Sequence, residues 1–165
     1  MPPDDIVSGA QQHDRSSADL HHRALERLYA SAPINDKFGS SLEITGEGRA
    51  RLVFTVTEAD YHAAGAAHGT IYFKMLDDAA FYAANTLVTD RFLLTTGFNL
   101  HFTKPVRVGE VVAEGRWVSG RRRVFVAESR LVDAEGEEIG RGTGTFMRSR
   151  IPLSGLPGYS PDPGE

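Results

Sequence analysis

His62-Ala-Ala-Gly-Ala-Ala-His-Gly-Thr70 is the stretch of sequence that decides the fold, because it joins a glycine-bearing turn to the start of an alanine-rich segment. That segment extends to Leu87 without proline or glycine, and its apolar residues recur at helical intervals. The pattern predicts a long helix, and the alanines are typical of a helix that a curved sheet approaches closely. One carboxylate, Asp77, lies about two turns inside this helix.

The distance between the turn and Asp77 implies an assembly. Nine residues separate His68 from Asp77, which is roughly 13 Å along a helix axis. Asp77 therefore cannot serve the turn of its own chain directly. If the two are parts of one site, the helix of one subunit presents Asp77 to the turn of another, and a functional dimer follows.

Period-two patterns and turn residues predict strands on both sides of this helix. The predicted strands cover residues 40–47, 49–57, 91–103, 110–119, 122–133 and 137–148. In the strand after Arg91, we expect Phe98, Leu100 and Phe102 on a core face and the alternate residues on a wet face. Such short connections favour a mostly antiparallel sheet and an α+β fold class.

The two ends of the chain differ from this middle. Residues 1–15 are polar and are expected to be disordered, and Ser16 is predicted to cap a helix that ends before Pro33. Residues 16–150 form the single predicted domain. Residues 151–165 are rich in proline and glycine and are expected to be a loose tail.

Composition excludes several classes of function. A chain of 165 residues with 41% apolar content can bury one core, and its net charge of −4 gives no general attraction to nucleic acid or to an anionic membrane. The absence of cysteine excludes disulfides, a thiol nucleophile and a thiolate zinc site. No apolar run approaches 18 residues, so we expect neither membrane insertion nor export, and the expected location is the cytoplasm.

The motif resembles that of the PaaI-like hotdog-fold acyl-CoA thioesterases. Their pattern is Asn-x-x-Gly-x-x-His-Gly-Gly, then six residues, then the catalytic Asp. Gly65, His68, Gly69 and Asp77 fall on this pattern without a gap. The resemblance covers roughly residues 38–148.

This resemblance implies a hotdog fold, in which an antiparallel sheet of about five to six strands wraps around a long central helix, here with an extra N-terminal helix. Thr95 stands where many of these enzymes carry a Ser or Thr near the attacking water. The sequence departs from the pattern at two positions, because His62 replaces the usual Asn and Thr70 replaces the second glycine.

The implied reaction is hydrolysis of acyl-CoA thioesters to the free acid and coenzyme A. Asp77 would act as general base or as nucleophile, and Thr95 would orient the water. His68 and Gly69 lie where the helix begins, and the Gly69 amide is a candidate oxyanion donor. His62 is a candidate hydrogen-bond donor in place of the Asn, or else a solvent-facing loop residue.

Arg121-Arg122-Arg123 is a short basic run at a predicted strand turn. It suits the phosphates of coenzyme A, which is part of the substrate, so no separate cofactor is expected. The alternative is a charged hairpin tip that keeps the sheet edge soluble. The histidines show no ligand spacing with acids, so no metal site is predicted, and His21-His22 is interpreted as the polar face of an exposed helix.

Other interpretations of the helix residues stay open. Asp77 could instead be a surface carboxylate paired with Lys74 one turn back, and Asp78 is interpreted as a neighbour that caps or pairs. Three aromatic residues of the helix are candidates either for an acyl pocket or for the core: Phe73, Phe81 and Tyr82.

The resemblance also implies a homo-oligomer, either a dimer or a tetramer built as a dimer of dimers, with acyl-CoA as the partner molecule. One alternative function is an acyl-CoA hydratase or dehydratase, which would need a His and an acid near the acyl β-carbon. Another is a non-catalytic acyl-CoA-binding or sensing module. That class usually brings a helix-turn-helix, for which the single predicted N-terminal helix is too short.

Overall fold

The computed structural model describes residues 6–160, and their side chains from Ser17 onward. In that range the elements are α1 (Ile6–Ser31), α2 (Pro33–Phe38), β1 (Ser41–Gly46), β2 (Arg49–Val56), α3 (Gly69–Asn85), β3 (Arg91–Phe102), β4 (Gly109–Ser119), β5 (Val124–Val132) and β6 (Glu138–Pro152). The six strands form one antiparallel sheet in the order β1-β2-β4-β5-β6-β3. The predicted hairpin, central helix and later strands are confirmed, and β1 and β3 are the edges of the sheet.

Helix α3 lies against the sheet and forms the centre of the core. Its alanines allow a very close approach, because a Cβ on Gly115 of β4 would lie only 1.9 Å from the carbonyl oxygen of Ala79. On β5, the Ser129 hydroxyl donates a 2.7 Å hydrogen bond to the Leu76 carbonyl. Four alanines of α3 are completely buried: Ala79, Ala80, Ala83 and Ala84. The packing role predicted for the alanines is therefore confirmed.

The end of α3 fixes the start of β3. Asn85 is completely buried, and its side-chain amide donates to the Val88 carbonyl while its Oδ1 accepts from the Leu93 amide at 3.0 Å. A buried amide that satisfies backbone groups on both sides of a turn holds the two elements in register. This contact determines which residues of β3 lie beside α3.

The N-terminal helix is longer than predicted. It begins at Ile6 rather than at Ser16, although its end before Pro33 is confirmed. Polar residues do not by themselves stop a helix, and the sequence has no proline between Ile6 and Ser31. The short helix α2 was not predicted. Residues 1–5 of the expected disordered segment lie outside the described residues.

The expectation of a loose tail is wrong for the residues up to Ser160. Leu153 is completely buried, and the Tyr159 hydroxyl lies 2.8 Å from Nδ1 of His21. His21 is itself buried, with Nε2 at 3.1 Å from the Asn85 carbonyl, so it does not belong to an exposed polar face. The buried Leu153 and the contact of Tyr159 with His21 hold the tail against the domain, despite its proline and glycine content. Residues 161–165 lie outside the described residues.

Strand β3 is less covered than its alternating pattern predicts. Phe98 and Leu100 are half-buried, and Phe102 is 58% exposed, so the expected core face is only partly a core face. The reason is that β3 is an edge strand that pairs with β6 on one side alone. Leu94 and Phe73 are also exposed and extend this apolar surface. No helix within residues 6–160 is long and apolar enough to cross a membrane.

Candidate active site

The structure brings Asp77 and Thr95 together. Asp77 lies in the middle of α3, on the side that β3 passes, and the Thr95 hydroxyl donates a 3.0 Å hydrogen bond to Asp77 Oδ1. Among the described residues, Oδ2 of Asp77 has no hydrogen-bond partner. One oxygen of the carboxylate is thus fixed and the other is available to a ligand or a water molecule.

The surroundings make Asp77 a weaker acid than usual. Burial raises its pKa from 3.8 to about 6, and the negative charge of Asp78 adds to this rise. The Thr95 hydrogen bond and the positive charge of Lys74 oppose it. A carboxylate with this pKa is ionised at neutral pH and is more basic than a free one, as general-base catalysis requires.

A pocket of about 280 Å³ opens beside Asp77, and we call it the Asp77 pocket. It is lined by Tyr29, Ala32, Ile34, Asn35, Asp77, Asp78, Phe81, Tyr82, Phe92, Leu93, Leu94 and Thr95. Its apolar walls and few polar groups are typical of small-ligand sites, at the small end of their size range. Phe81 and Tyr82 therefore line the pocket, whereas Phe73 packs on Phe98 with ring centroids 5.7 Å apart.

Lys74 pairs with Asp78 and not with Asp77. The pairing predicted for Asp78 is confirmed, and Asp77 is not the partner of Lys74 in an ion pair. The ammonium group of Lys74 also lies 5.1 Å from the centroid of the Tyr29 ring. Sequence reasoning missed the contribution of Tyr29, because a residue 45 positions upstream leaves no spacing signal.

The turn before α3 is a separate region without acidic residues, and we call it the α3 entrance (residues 62–69). His62 and His68 are exposed there, whereas Ala66 and Ala67 are buried. Gly65 adopts a left-handed φ of +81°, and its amide donates to the His62 carbonyl at 2.9 Å. Nδ1 of His62 accepts a 3.0 Å hydrogen bond from the Ala64 amide. The His62 ring thus braces the turn, and its other nitrogen stays open to solvent.

His68 and Gly69 occupy the helix start. His68 is the N-cap of α3, and its Nδ1 accepts a 3.1 Å hydrogen bond from the Thr70 amide. Gly69 is the first helical residue, and its amide finds no acceptor in the described part of the chain. A free N–H at a helix N-terminus carries partial positive charge and attracts an anion. A Cβ here would lie 3.2 Å from the Phe102 ring, so glycine keeps the approach to this amide open.

The two regions do not meet within one chain. Gly69 and Asp77 are eight residues apart on one helix, which is roughly 12 Å along its axis. Within one copy the α3 entrance and the Asp77 pocket are therefore separate, as the rise of the helix predicts.

The arginine run lies at the hairpin between β4 and β5. Its three side chains are exposed, and among the described residues none of them forms an ion pair with a carboxylate. The guanidinium of Arg121 lies 4.5 Å from the centroid of the Trp117 ring. Arg123 accepts a hydrogen bond from the Arg148 amide, and Arg148 pairs with Leu93 of the Asp77 pocket. The hairpin therefore ends two strands from the pocket, roughly 10 Å away.

A larger groove of about 520 Å³ lies on the outer face of the sheet and contains neither Asp77 nor Gly69. Arginines and glutamates pair there across neighbouring strands, as in Arg116–Glu128 and Arg130–Glu114. All four side chains are about half exposed. We interpret this face as a solvated charged surface, since exposed pairs of this kind are common and weak.

Comparison with known proteins agrees with this geometry. The model of the thioesterase superfamily matches residues 64–139, which include Asp77 and residues 64–69 of the α3 entrance but not His62. The structure superimposes on the PaaI protein from the Escherichia coli phenylacetic acid degradation operon with a TM-score of 0.72. The two are 20% identical, and the match covers 81% of this chain and 98% of the other. The chain has the hotdog fold. The predicted fold and the resemblance to PaaI-like proteins are thereby confirmed.

Other hotdog proteins and curated relatives extend the comparison. A Streptococcus mutans protein solved with acetyl-CoA bound superimposes with a TM-score of 0.61 and 18% identity, over 67% of this chain and 88% of that one. A Saccharolobus solfataricus protein named as a candidate esterase is 28% identical over 74% of this chain and 82% of its own length. The transcription factor FapR of Shouchella clausii is 34% identical over 66% of this chain and 56% of its own length.

Proposed function

We propose that this hotdog protein hydrolyses acyl-CoA thioesters, with Asp77 as general base or nucleophile. The observation that carries the proposal is the Asp77 carboxylate, held by Thr95 at the mouth of a small aromatic pocket with a pKa raised to about 6. The thioesterase superfamily match and the esterase-named relative support thioester hydrolysis in general. The acyl group would occupy the Asp77 pocket.

Two routes lead from Asp77 to the products. As a base, the carboxylate takes a proton from water while the water oxygen bonds to the thioester carbon. The C–S bond then breaks, and the sulfur of coenzyme A leaves with a proton. As a nucleophile, the carboxylate bonds to the carbon itself and displaces the sulfur, and water hydrolyses the resulting anhydride. Thr95 would orient the water or the carboxylate in either route.

Both routes develop negative charge on the carbonyl oxygen, and the α3 entrance of a second copy would stabilise it. The Gly69 amide is the proposed donor, because it is a free N–H at a helix start. His68 orders this helix start as its N-cap, and His62 lies in the adjoining turn, where its free ring nitrogen could donate to the substrate. These roles rest on the proposed dimer.

The edge strand β3 is the proposed dimerisation surface. It is 12 residues long and leaves one side of its backbone unpaired in the described sheet, next to the exposed Leu94 and Phe102. An uncovered apolar edge of this kind favours pairing with another strand. Antiparallel pairing of two copies centred between Phe98 and Asn99 would place Thr95 of one copy opposite Phe102 of the other. Thr95 accompanies Asp77, and Phe102 lies against Gly69, so the two halves of the site would meet.

Arg121, Arg122 and Arg123 are proposed to bind the phosphates of coenzyme A. Support comes from their lack of carboxylate partners and from their position near the Asp77 pocket. The acetyl-CoA complex of the Streptococcus mutans protein shows that a protein of this fold binds such a molecule.

A second candidate is a module that binds acyl-CoA without hydrolysing it. The 34% identity to a protein named as a transcription factor favours it. The raised pKa of the Asp77 carboxylate and its oxygen without a hydrogen-bond partner among the described residues support hydrolysis. The two candidates therefore differ in turnover rather than in affinity.

A screen of short, long and aryl acyl-CoAs, with release of free thiol as the signal, tests the proposal. We expect turnover of short or aryl substrates, and a loss of about 10²- to 10⁴-fold in Asp77→Asn with binding retained. Asp19→Asn, which removes an exposed carboxylate on α1, is the matched control and should match wild type. Binding without turnover would favour the second candidate. Hydration of enoyl-CoA would favour a hydratase.

A further inference from the structure

Two carboxylates stand next to each other on α3 and have different surroundings. Asp77 accepts a hydrogen bond from the neutral Thr95, whereas Asp78 forms an ion pair with Lys74 one turn back. The pair is poorly accessible, with the Lys74 side chain 12% and the Asp78 side chain 23% exposed. A buried pair is less screened by water and salt than a surface pair, so its charges act strongly on a neighbour.

The ion pair is held in one position by the N-terminal part of the chain. The Tyr29 hydroxyl lies 3.4 Å from Lys74 Nζ and 2.5 Å from the Ser40 hydroxyl. The ammonium group also lies over the Phe38 ring, 5.3 Å from its centroid. These contacts come from α1, α2 and the following loop, which lie outside the segment matched by the superfamily model. The pair itself lies on α3, inside the matched segment, and is held by residues from outside that segment.

We propose that the Lys74–Asp78 ion pair sets the charge state of Asp77, with its two members acting in opposite directions. Lys74 and Asp78 are positioning residues here, and proton transfer or nucleophilic attack stays with Asp77. The inference rests on the proposed function, because the acidity of Asp77 affects the reaction only if Asp77 is its base or nucleophile.

In the proposed dimer, His62 and His68 of the second copy come close to Asp77, and they are the same in every variant below. Within one copy, few charged groups face Asp77. On α3 they are Asp78, which raises the pKa of Asp77, and Lys74, which lowers it. The other titratable groups among the described residues that line the pocket are Tyr29 and Tyr82, and burial raises the pKa of both phenols, so they stay neutral. Strand β3 contributes the uncharged Thr95. Burial is the largest influence on the pKa of Asp77 and the Thr95 hydrogen bond opposes it, while the ion pair adds one charge that raises the pKa and one that lowers it.

Removing the charge of either member of the pair should shift the pKa of Asp77, and the two removals should shift it in opposite directions. Asp78→Asn leaves the Lys74 charge without compensation and should shift the acid limb of the pH–rate profile to lower pH. Lys74→Met leaves the Asp78 charge uncompensated and should shift the limb to higher pH. Each shift should be roughly half to one pH unit. In the double variant, the midpoint of the acid limb should differ from the wild-type midpoint by no more than about a third of the shift seen in a single variant.

The experiment measures kcat/KM against pH for these three variants, together with the carboxyl titration of Asp77 by NMR, assigned through its loss in Asp77→Asn. Glu128→Gln and Arg130→Met remove the same charges from the outer face and should leave the limb in place. Lys74→Arg keeps the charge and should keep the wild-type midpoint even if Lys74→Met does not fold. A merely structural pair would lower stability or rate without moving the midpoint.

Midpoints that stay at the wild-type value, or that move in the same direction in both single variants, would overturn the inference. Retained turnover in Asp77→Asn would instead overturn the proposed function. Loss of turnover in Asp77→Asn with unmoved midpoints in the pair variants would leave the proposed function standing and remove only this inference.

Discussion

Helix α3 carries chemical groups in two places, and they differ in almost every physical property. The α3 entrance is partly exposed and has no acidic residue, and it offers the free Gly69 amide. The Asp77 pocket is half-buried and aromatic, and it offers a carboxylate whose pKa is raised to about 6. One region suits a developing oxyanion and the other suits a proton or a carbonyl carbon. Because the rise of the helix keeps them apart, the proposed function requires each copy to supply half of two sites.

Of the variants described next, Gly69→Leu in the α3 entrance should have the largest effect on catalysis. The added side chain would fill the approach to the Gly69 amide, so kcat for acyl-CoA hydrolysis should fall by about 10²-fold. The exposed Phe102 ring, 3.2 Å from the new Cβ, has room to move, so the fold should survive. Thiol-release kinetics and circular dichroism check both parts. Wild-type kcat in a folded variant would show that this amide does not take part in the reaction.

Asp77→Asn should have the opposite effect on stability to its effect on activity. The folded-state pKa of Asp77 lies above its ordinary value of 3.8, so the ionised form destabilises the fold at pH above 6, and this cost disappears as the pH falls below 4. The variant should therefore be more stable than wild type by about 1–2 kcal/mol at pH 8, after allowance for partial exposure, and equal to it near pH 3.5.

Chemical denaturation of both proteins at the two pH values, at one protein concentration, measures this difference. Equal stability at pH 8 would mean that the ionised Asp77 carboxylate does not destabilise the fold. The contrast between the Asp77 pocket and the α3 entrance would then be unsupported.

Thr95→Ala tests whether Thr95 contributes to the reaction or to substrate binding in the Asp77 pocket. Losing the 3.0 Å hydrogen bond to Asp77 should lower kcat by about tenfold with little change in KM, since the contact belongs to the reacting centre. Thr95→Ser keeps the hydroxyl and should behave like wild type. An increase in KM alone, measured in the same steady-state assay, would assign Thr95 to substrate binding.

Arg122→Ala and Arg123→Ala should have the smallest effect on hydrolysis. Neither residue belongs to the α3 entrance or to the Asp77 pocket. Each should raise KM for acyl-CoA by about threefold, because an exposed arginine–phosphate contact is worth little and is screened by salt. Pantetheine thioesters, which lack the nucleotide phosphates, should be unaffected. If KM for acyl-CoA stays at the wild-type value across salt concentrations, the run is a solvated hairpin tip.

Local sequence patterns were sufficient for much of this fold. The hairpin around Gly46-Glu47-Gly48, the extent of α3 and the later strands follow from turn residues and from hydrophobic period, both of which are local. The contact between Asp77 and Thr95 could be expected only through the family resemblance, because the sequence spacing does not reveal it. The separation of Asp77 from Gly69 followed from helical rise alone.

The features that sequence reasoning missed depend on contacts between distant segments. Tyr29 reaches Lys74 across 45 positions, and the tail returns to α1 through Tyr159 and His21. Neither pairing has a local signal, since a polar residue on a helix has the same pattern whether it is exposed or buried. The exposure of Phe102 was missed for the same reason, because alternation predicts a face but not what covers it.

Subunit complementation tests the divided site most directly. Asp77→Asn and Gly69→Leu are each expected to be inactive, and a mixed dimer of the two contains one site with both lesions and one with neither. After subunit exchange of equal amounts, activity should return to about a quarter of the wild-type value, since half of the dimers are mixed and each holds one intact site of two. Exchange demonstrated by mass spectrometry without any regained activity would show that Asp77 and Gly69 do not act together across an interface.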